Sequence, residues 1–109
     1  MKRLSNWFGK TFGSKAPADL LNYLKDHPEG LAAESGILYD AESIIDYTEE
    51  RDLQEKGLLY LGTGPMLNVF LLRAKDGKVF LVDKTDFQIV DATFKSLDTC
   101  ITLLQLEKS

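Results

Sequence analysis

One cysteine, one histidine, one tryptophan and three prolines are all that 109 residues contain of these types. The lone Cys100 excludes an internal disulfide framework and a cysteine-based metal site. His27 sits in a polar segment just before Pro28, and Cys100 sits among apolar residues, so no nucleophile–base pair is legible. No set of metal ligands occurs at usable spacing, and no cofactor is expected. Long apolar runs are missing too. Val69 to Leu72 is typical, far short of the roughly 20 residues that span a bilayer. Ser5, Asn6, Lys10 and Thr11 interrupt anything resembling a secretory core at the start. The expected compartment is the cytoplasm.

What is present is 44% hydrophobic residues, enough for one modest core. The net charge of −4 is unevenly spread. Residues 1–15 carry Lys2, Arg3, Lys10 and Lys15 with no acid; the rest holds nine basic and 17 acidic residues. An acidic body argues against nucleic acid, whose affinity is dominated by phosphate. It fits a basic protein partner, or plain solubility.

Residues 1–15 place Leu4, Trp7, Phe8 and Phe12 three and four apart, an amphipathic helical stripe weakened by Gly9 and Gly13. Such a segment either packs on the domain at 16–109 or makes weak membrane-surface contact. A second helix follows Pro17, with Asp19 near its positive end and Leu20, Leu21 and Leu24 on its buried side. Pro28 and Gly30 end it. LAAESGILY is ambiguous, with a short extended piece at Ile37–Tyr39. Asp40 is the expected N-cap of a third helix running to Lys56, with Ile44 and Ile45 inward.

From Gly57 the period becomes that of strands: GLLYLG, LNVFLLRA, KVFLVD and FQIVDA. Asp76-Gly77 between the second and third predicts a two-residue hairpin turn with positive φ at both positions. TFKSLDTCITLLQLEK is the last helix, capped by either Thr93 or Ser96. The order predicts an α+β domain: an antiparallel meander of about four strands with helices on one side.

Gly62-Thr63-Gly64 tests the nucleotide reading. A dinucleotide fingerprint needs a third glycine and a following helix. Here Leu67 stands at the third position and a strand follows. Gly62 to Pro65 therefore reads as a connection between strands.

From about Pro17 to Leu106 the chain resembles the SUKH superfamily, the SMI1/KNR4-like proteins. The matching stretches are PADLLNYLKDHPEG, GILYDAESIIDYTEE, LLYLGTG with NVFLLRAKDGKVFLVD, and IVDATFKSLDTCITLL. These are core positions and turns rather than catalytic letters. Two loops depart from the family: Gly62–Leu67 is short and uncharged, and the first family helix ends in His27-Pro28-Glu29-Gly30. The resemblance implies a non-catalytic binding domain, in bacteria an immunity protein that neutralises a cognate toxin such as a nuclease or deaminase. A regulatory or housekeeping interaction module is the alternative it implies.

Residues 40–55 supply the candidate partner site: Asp40, Glu42, Asp46, Glu49, Glu50, Asp52 and Glu55, against Arg51 alone. Glu42, Asp46, Glu49 and Glu50 share one helical face opposite Ile44 and Ile45. Like charges so spaced repel by a few tenths of a kcal/mol each. A basic partner would relieve that repulsion.

Overall fold

Leu4 and Phe8 stand one helical turn apart, and both are fully buried. They anchor α1 (Lys2–Phe12), with Trp7 and Phe12 packed beside them. The computed structural model describes residues 2–34, 36–64 and 68–107. The remaining elements are α2 (Ala18–Asp26), β1 (Leu31–Ala33), β2 (Gly36–Leu38), α3 (Ala41–Glu50), a 3-10 turn (Leu53–Lys56), β3 (Leu58–Thr63), β4 (Asn68–Arg73), β5 (Val79–Asp83), β6 (Val90–Phe94) and α4 (Leu97–Glu107).

The class is α+β, as expected, but among the described residues the antiparallel sheet has six strands in chain order rather than about four. The additional pair is β1 and β2, three residues each, joined at Leu31↔Leu38 and Ala33↔Gly36. Strands this short carry no readable alternation; β2 is held by pairing with β3 at Ile37↔Thr63 and Leu38↔Gly62.

Alternation along the strands splits the core in two. Phe70, Leu72 and Val79 face the larger cluster, where Leu20, Leu24, Ile44, Ile45, Leu97 and Cys100 of the helices meet them. Val69, Leu71, Tyr60 and Val82 face the other way into a smaller cluster with Leu53, closed by Tyr39, Tyr47, Phe80 and Phe87. Helices therefore cover one face, and the second face has its own apolar cover. Thr48, buried on α3, accepts the Tyr60 N–H at 2.8 Å and pins α3 to β3.

Three features differ from the sequence expectation. The third helix stops at Glu50 because Asp52 adopts left-handed backbone (φ 53), and the chain continues as the 3-10 turn. Aspartate is among the few residues that take this conformation readily. The β4–β5 connection is longer than the expected two-residue turn. Arg73 N–H bonds the Lys78 carbonyl, and Gly77 N–H bonds the Arg73 carbonyl. Gly77 has φ 75 as expected, whereas Asp76 does not have positive φ. The fourth expected strand begins at Val90 instead of Phe87. Asp86 Oδ1 accepts the Gln88 N–H at 3.0 Å, making 86–89 a turn that lays Phe87 on the smaller cluster. The last helix begins at Leu97, and of its two expected caps it is Ser96 that serves, its Oγ accepting the Thr99 N–H.

Gly62 lies within β3, opposite Phe70, next to a bulge. A Cβ there would run into the Ile37 carbonyl and Leu38 Cα of β2. Its absence of side chain serves strand packing, and β3 runs through Thr63, two residues into the expected connection. Pro65 to Leu67, the rest of that connection, lie outside the described residues.

Candidate interaction surface

The seven acids of 40–55 divide by what they touch. Asp40 is the N-cap of α3, accepting Ser43 N–H at 3.4 Å and Ser43 Oγ–H at 2.7 Å. Glu42 forms an ion pair with Arg3 of α1. Glu49 accepts the Trp7 Nε1–H at 3.2 Å. Part of the compensation expected from a partner thus comes from within the chain: the basic first helix lies against the acidic third. The same docking buries the apolar stripe of α1, so Leu4 and Phe8 are not presented to a membrane in this conformation.

The other four look outward. Asp46, Glu50, Asp52 and Glu55 are exposed, and Glu50 has the neighbouring Arg51 3.6 Å away. Ile44 and Ile45 are fully buried, so the inward and outward faces of α3 are as the spacing indicates. An exposed pair at this distance contributes little and does not neutralise the arc.

Arg51 connects this arc to the sheet. Its guanidinium lies 4.8 Å from the Tyr60 ring centroid and 5.3 Å from that of Tyr47. Tyr39, Tyr47 and Tyr60 stack on one another, with centroids 5.1, 5.2 and 6.0 Å apart. Burial, with Tyr39 alongside, pushes the Tyr60 hydroxyl above its ordinary pKa, and Arg51 partly opposes that. The cation sits on the π faces of Tyr47 and Tyr60, where the ring quadrupole attracts it.

Further across the same sheet face a groove of about 190 Å³ runs between Leu58, Leu71, Phe80, Val82, Phe87 and Val90. Arg73 borders it, stacked 5.1 Å from the Phe80 centroid and doubly bonded to Asp76 at 3.0 and 2.5 Å. Ile89 and Val90 beside it are 51% and 49% exposed. The sequence reading did not single out this surface. Its signal was nonetheless present, because runs such as NVFLLR are apolar at successive positions, the mark of a strand covered on both faces.

Three further side chains have defined surroundings. Cys100 is fully buried, and burial pushes its thiol up to about 12, which suppresses the reactive thiolate. His27 stacks on Tyr23 at 5.6 Å. Tyr23 donates its hydroxyl hydrogen to the Tyr39 carbonyl at 2.7 Å, and burial raises its pKa. Among the described residues no group of three or more His, Cys, Asp or Glu is placed to hold a metal ion. Among them, too, no helix is long and apolar enough to cross a membrane.

No protein-family model matches the chain, and no curated protein matches it either.

Proposed function

We infer that the chain is a non-catalytic protein-binding domain of the SUKH type, serving as an immunity protein that neutralises a basic toxin by direct contact. The observation that carries this reading is the juxtaposition at the end of α3. Exposed Glu50 and Asp52 flank Arg51, which rests on the tyrosine stack beside an apolar groove. Acidic groups around aromatic and apolar area suit a protein surface of opposite charge: the charges speed encounter and set register, and the aromatics supply contact area.

Two residues named from sequence contribute differently from the rest. Asp40 and Glu49 hold the fold together, so the docking arc is Asp46, Glu50, Asp52 and Glu55, with Glu42 shared with Arg3. The test is co-expression with the product of the adjacent gene, followed by pull-down and growth rescue. The variant combining Asp46→Lys, Glu50→Lys and Asp52→Lys should fold normally, associate more slowly and lose rescue. It leaves Glu49 and its Trp7 contact intact. Absence of both complex and rescue with the wild-type chain would overturn the immunity reading. Full rescue by the triple variant would move the interface off this arc.

A further inference from the structure

Among the described residues, β6 is the last strand of the sheet and pairs only with β5. Its backbone direction follows from the ladder. Arg73 N–H bonds the Lys78 carbonyl, which makes 73/78 a bonded pair. Antiparallel alternation then sets Phe80 and Val82 bonding toward β4, and Val79 and Leu81 toward β6. Their partners there are Phe94 and Ala92. Thr93, between them, turns its N–H and C=O away from the sheet. The opposite edge differs: β1 has three residues against five in β6.

The side chains on this edge have an internal symmetry. Asp91, Thr93 and Lys95 are spaced by two, and all three are exposed. An antiparallel pairing of two copies centred on Thr93 sets Thr93 against Thr93, with two backbone hydrogen bonds exchanged. It also sets each Asp91 against the Lys95 of the other copy, twice. Threonine pairs and opposite charges are favourable cross-strand neighbours. Centring instead on Asp91 or on Lys95 places like charges face to face. Centring on Ala92 or Phe94 turns inward-bonded backbone toward the second copy. One register therefore satisfies both the backbone and the charges.

Edge strands are commonly protected by lysine, proline or a bulge. Here a bulge between Val90 and Ala92 interrupts regular pairing at one end and the strand ends at Phe94, so Thr93 is the centre of the regular stretch. Exposed Ile89 and Val90 adjoin it and add apolar area.

We propose that the chain self-associates through β6 into a two-fold dimer with one continuous sheet, its register fixed by Asp91–Lys95 pairs across the axis. The short contact makes the dimer reversible and concentration-dependent. This inference is independent of the toxin-binding reading, because it concerns a second copy of this chain and a different edge.

Sedimentation equilibrium of the full chain, from micromolar to near-millimolar concentration at low salt, provides the test. Wild type should pass from monomer to dimer. Asp91→Lys alone and Lys95→Asp alone each set like charges across the axis, and each should raise the dimer Kd about tenfold or more. Mixed together, the two variants become complementary, because one carries lysine at both positions and the other carries aspartate at both. The mixture should form a heterodimer where neither variant dimerises alone. Both changes are on exposed side chains, and circular dichroism verifies that the variants fold. A wild-type chain that stays monomeric throughout overturns the proposal. So does a dimer unaffected by the single variants, or a mixture that fails to associate.

Discussion

Asp19, on α2, caps a helix 78 residues further along the chain: its Oδ2 accepts the backbone N–H of Leu97 at 3.0 Å, and that of Asp98 lies 3.3 Å away. The first N–H groups of a helix have no partner within it, and a carboxylate there also meets the positive end of the helix dipole. Asp19 thus ties the start of α4 to the first turn of α2. Replacing it with alanine should lower stability by about 1–2 kcal/mol, the usual cost of a lost cap. Urea denaturation checks this as a lower midpoint at unchanged slope. Asp19→Asn, which retains an acceptor, should lose less.

The β4–β5 loop places its strain on one position. Gly77 has φ 75, and a side chain there meets only Pro17 at ordinary distance, so backbone conformation alone opposes substitution. Gly77→Val should cost about 1–3 kcal/mol. An unchanged melting temperature would mean that the loop relaxes into another turn without loss.

Asp76 gives the same loop a pH signature. The Arg73 side chain bonded to it, helped by the Lys78 N–H, holds its carboxyl at about 2, down from an ordinary 3.8. A carboxyl lowered on folding contributes stability that is complete above its unfolded value and fades as pH falls through the folded one. Asp76→Asn should therefore be less stable than wild type at neutral pH, with the gap narrowing between pH 3.8 and about 2. A gap that is constant across that range would assign the loss to the turn's hydrogen bonds rather than to the charge.

Gly62 makes a steric prediction. Gly62→Ala must push β2 away from β3, since the new methyl would occupy the place of the Ile37 carbonyl. The expected cost is about 1–3 kcal/mol, typical of overpacking in a rigid site. Hydrogen exchange should show the loss first at β1 and β2, which depend on β3 for their place in the sheet. Normal protection in both strands would refute this account.

Cys100 should label slowly with a thiol reagent in native buffer and rapidly in denaturant, because burial both shields the sulfur and keeps it protonated. Rapid native labelling would place the thiol at the surface and contradict the packing of α4.

Much of this fold could be read from residue spacing. The apolar stripes of α1, α2 and α3, the Asp40 cap, the central strands and the positive φ of Gly77 all rest on interactions within a few residues. The misses rest on distant partners. β1 and β2 exist because β3 is beside them, and Phe87 leaves its expected strand because a second apolar cluster receives it. The acidic face of α3 was correctly oriented from its period. That Arg3 and Trp7 would engage Glu42 and Glu49 depends on tertiary docking, which periodicity does not encode. The tyrosine–arginine surface was obscured for the same reason: its members are brought together from separate segments of the chain.

Strand order that copies chain order also fixes what a ribosome can finish and when. Each hairpin of the meander can zip as soon as its second strand emerges, since its partner was made immediately before. The helical wall cannot close on that schedule. α2 leaves the tunnel early and must wait for α4, because the first amide that Asp19 caps is synthesised 78 residues later. Until then the sheet surface lined by Phe70, Leu72 and Val79 lacks the cover of Leu97, Cys100 and Leu104. A chain stalled shortly after β6 would display that greasy wall to chaperones and proteases while its strands were already paired.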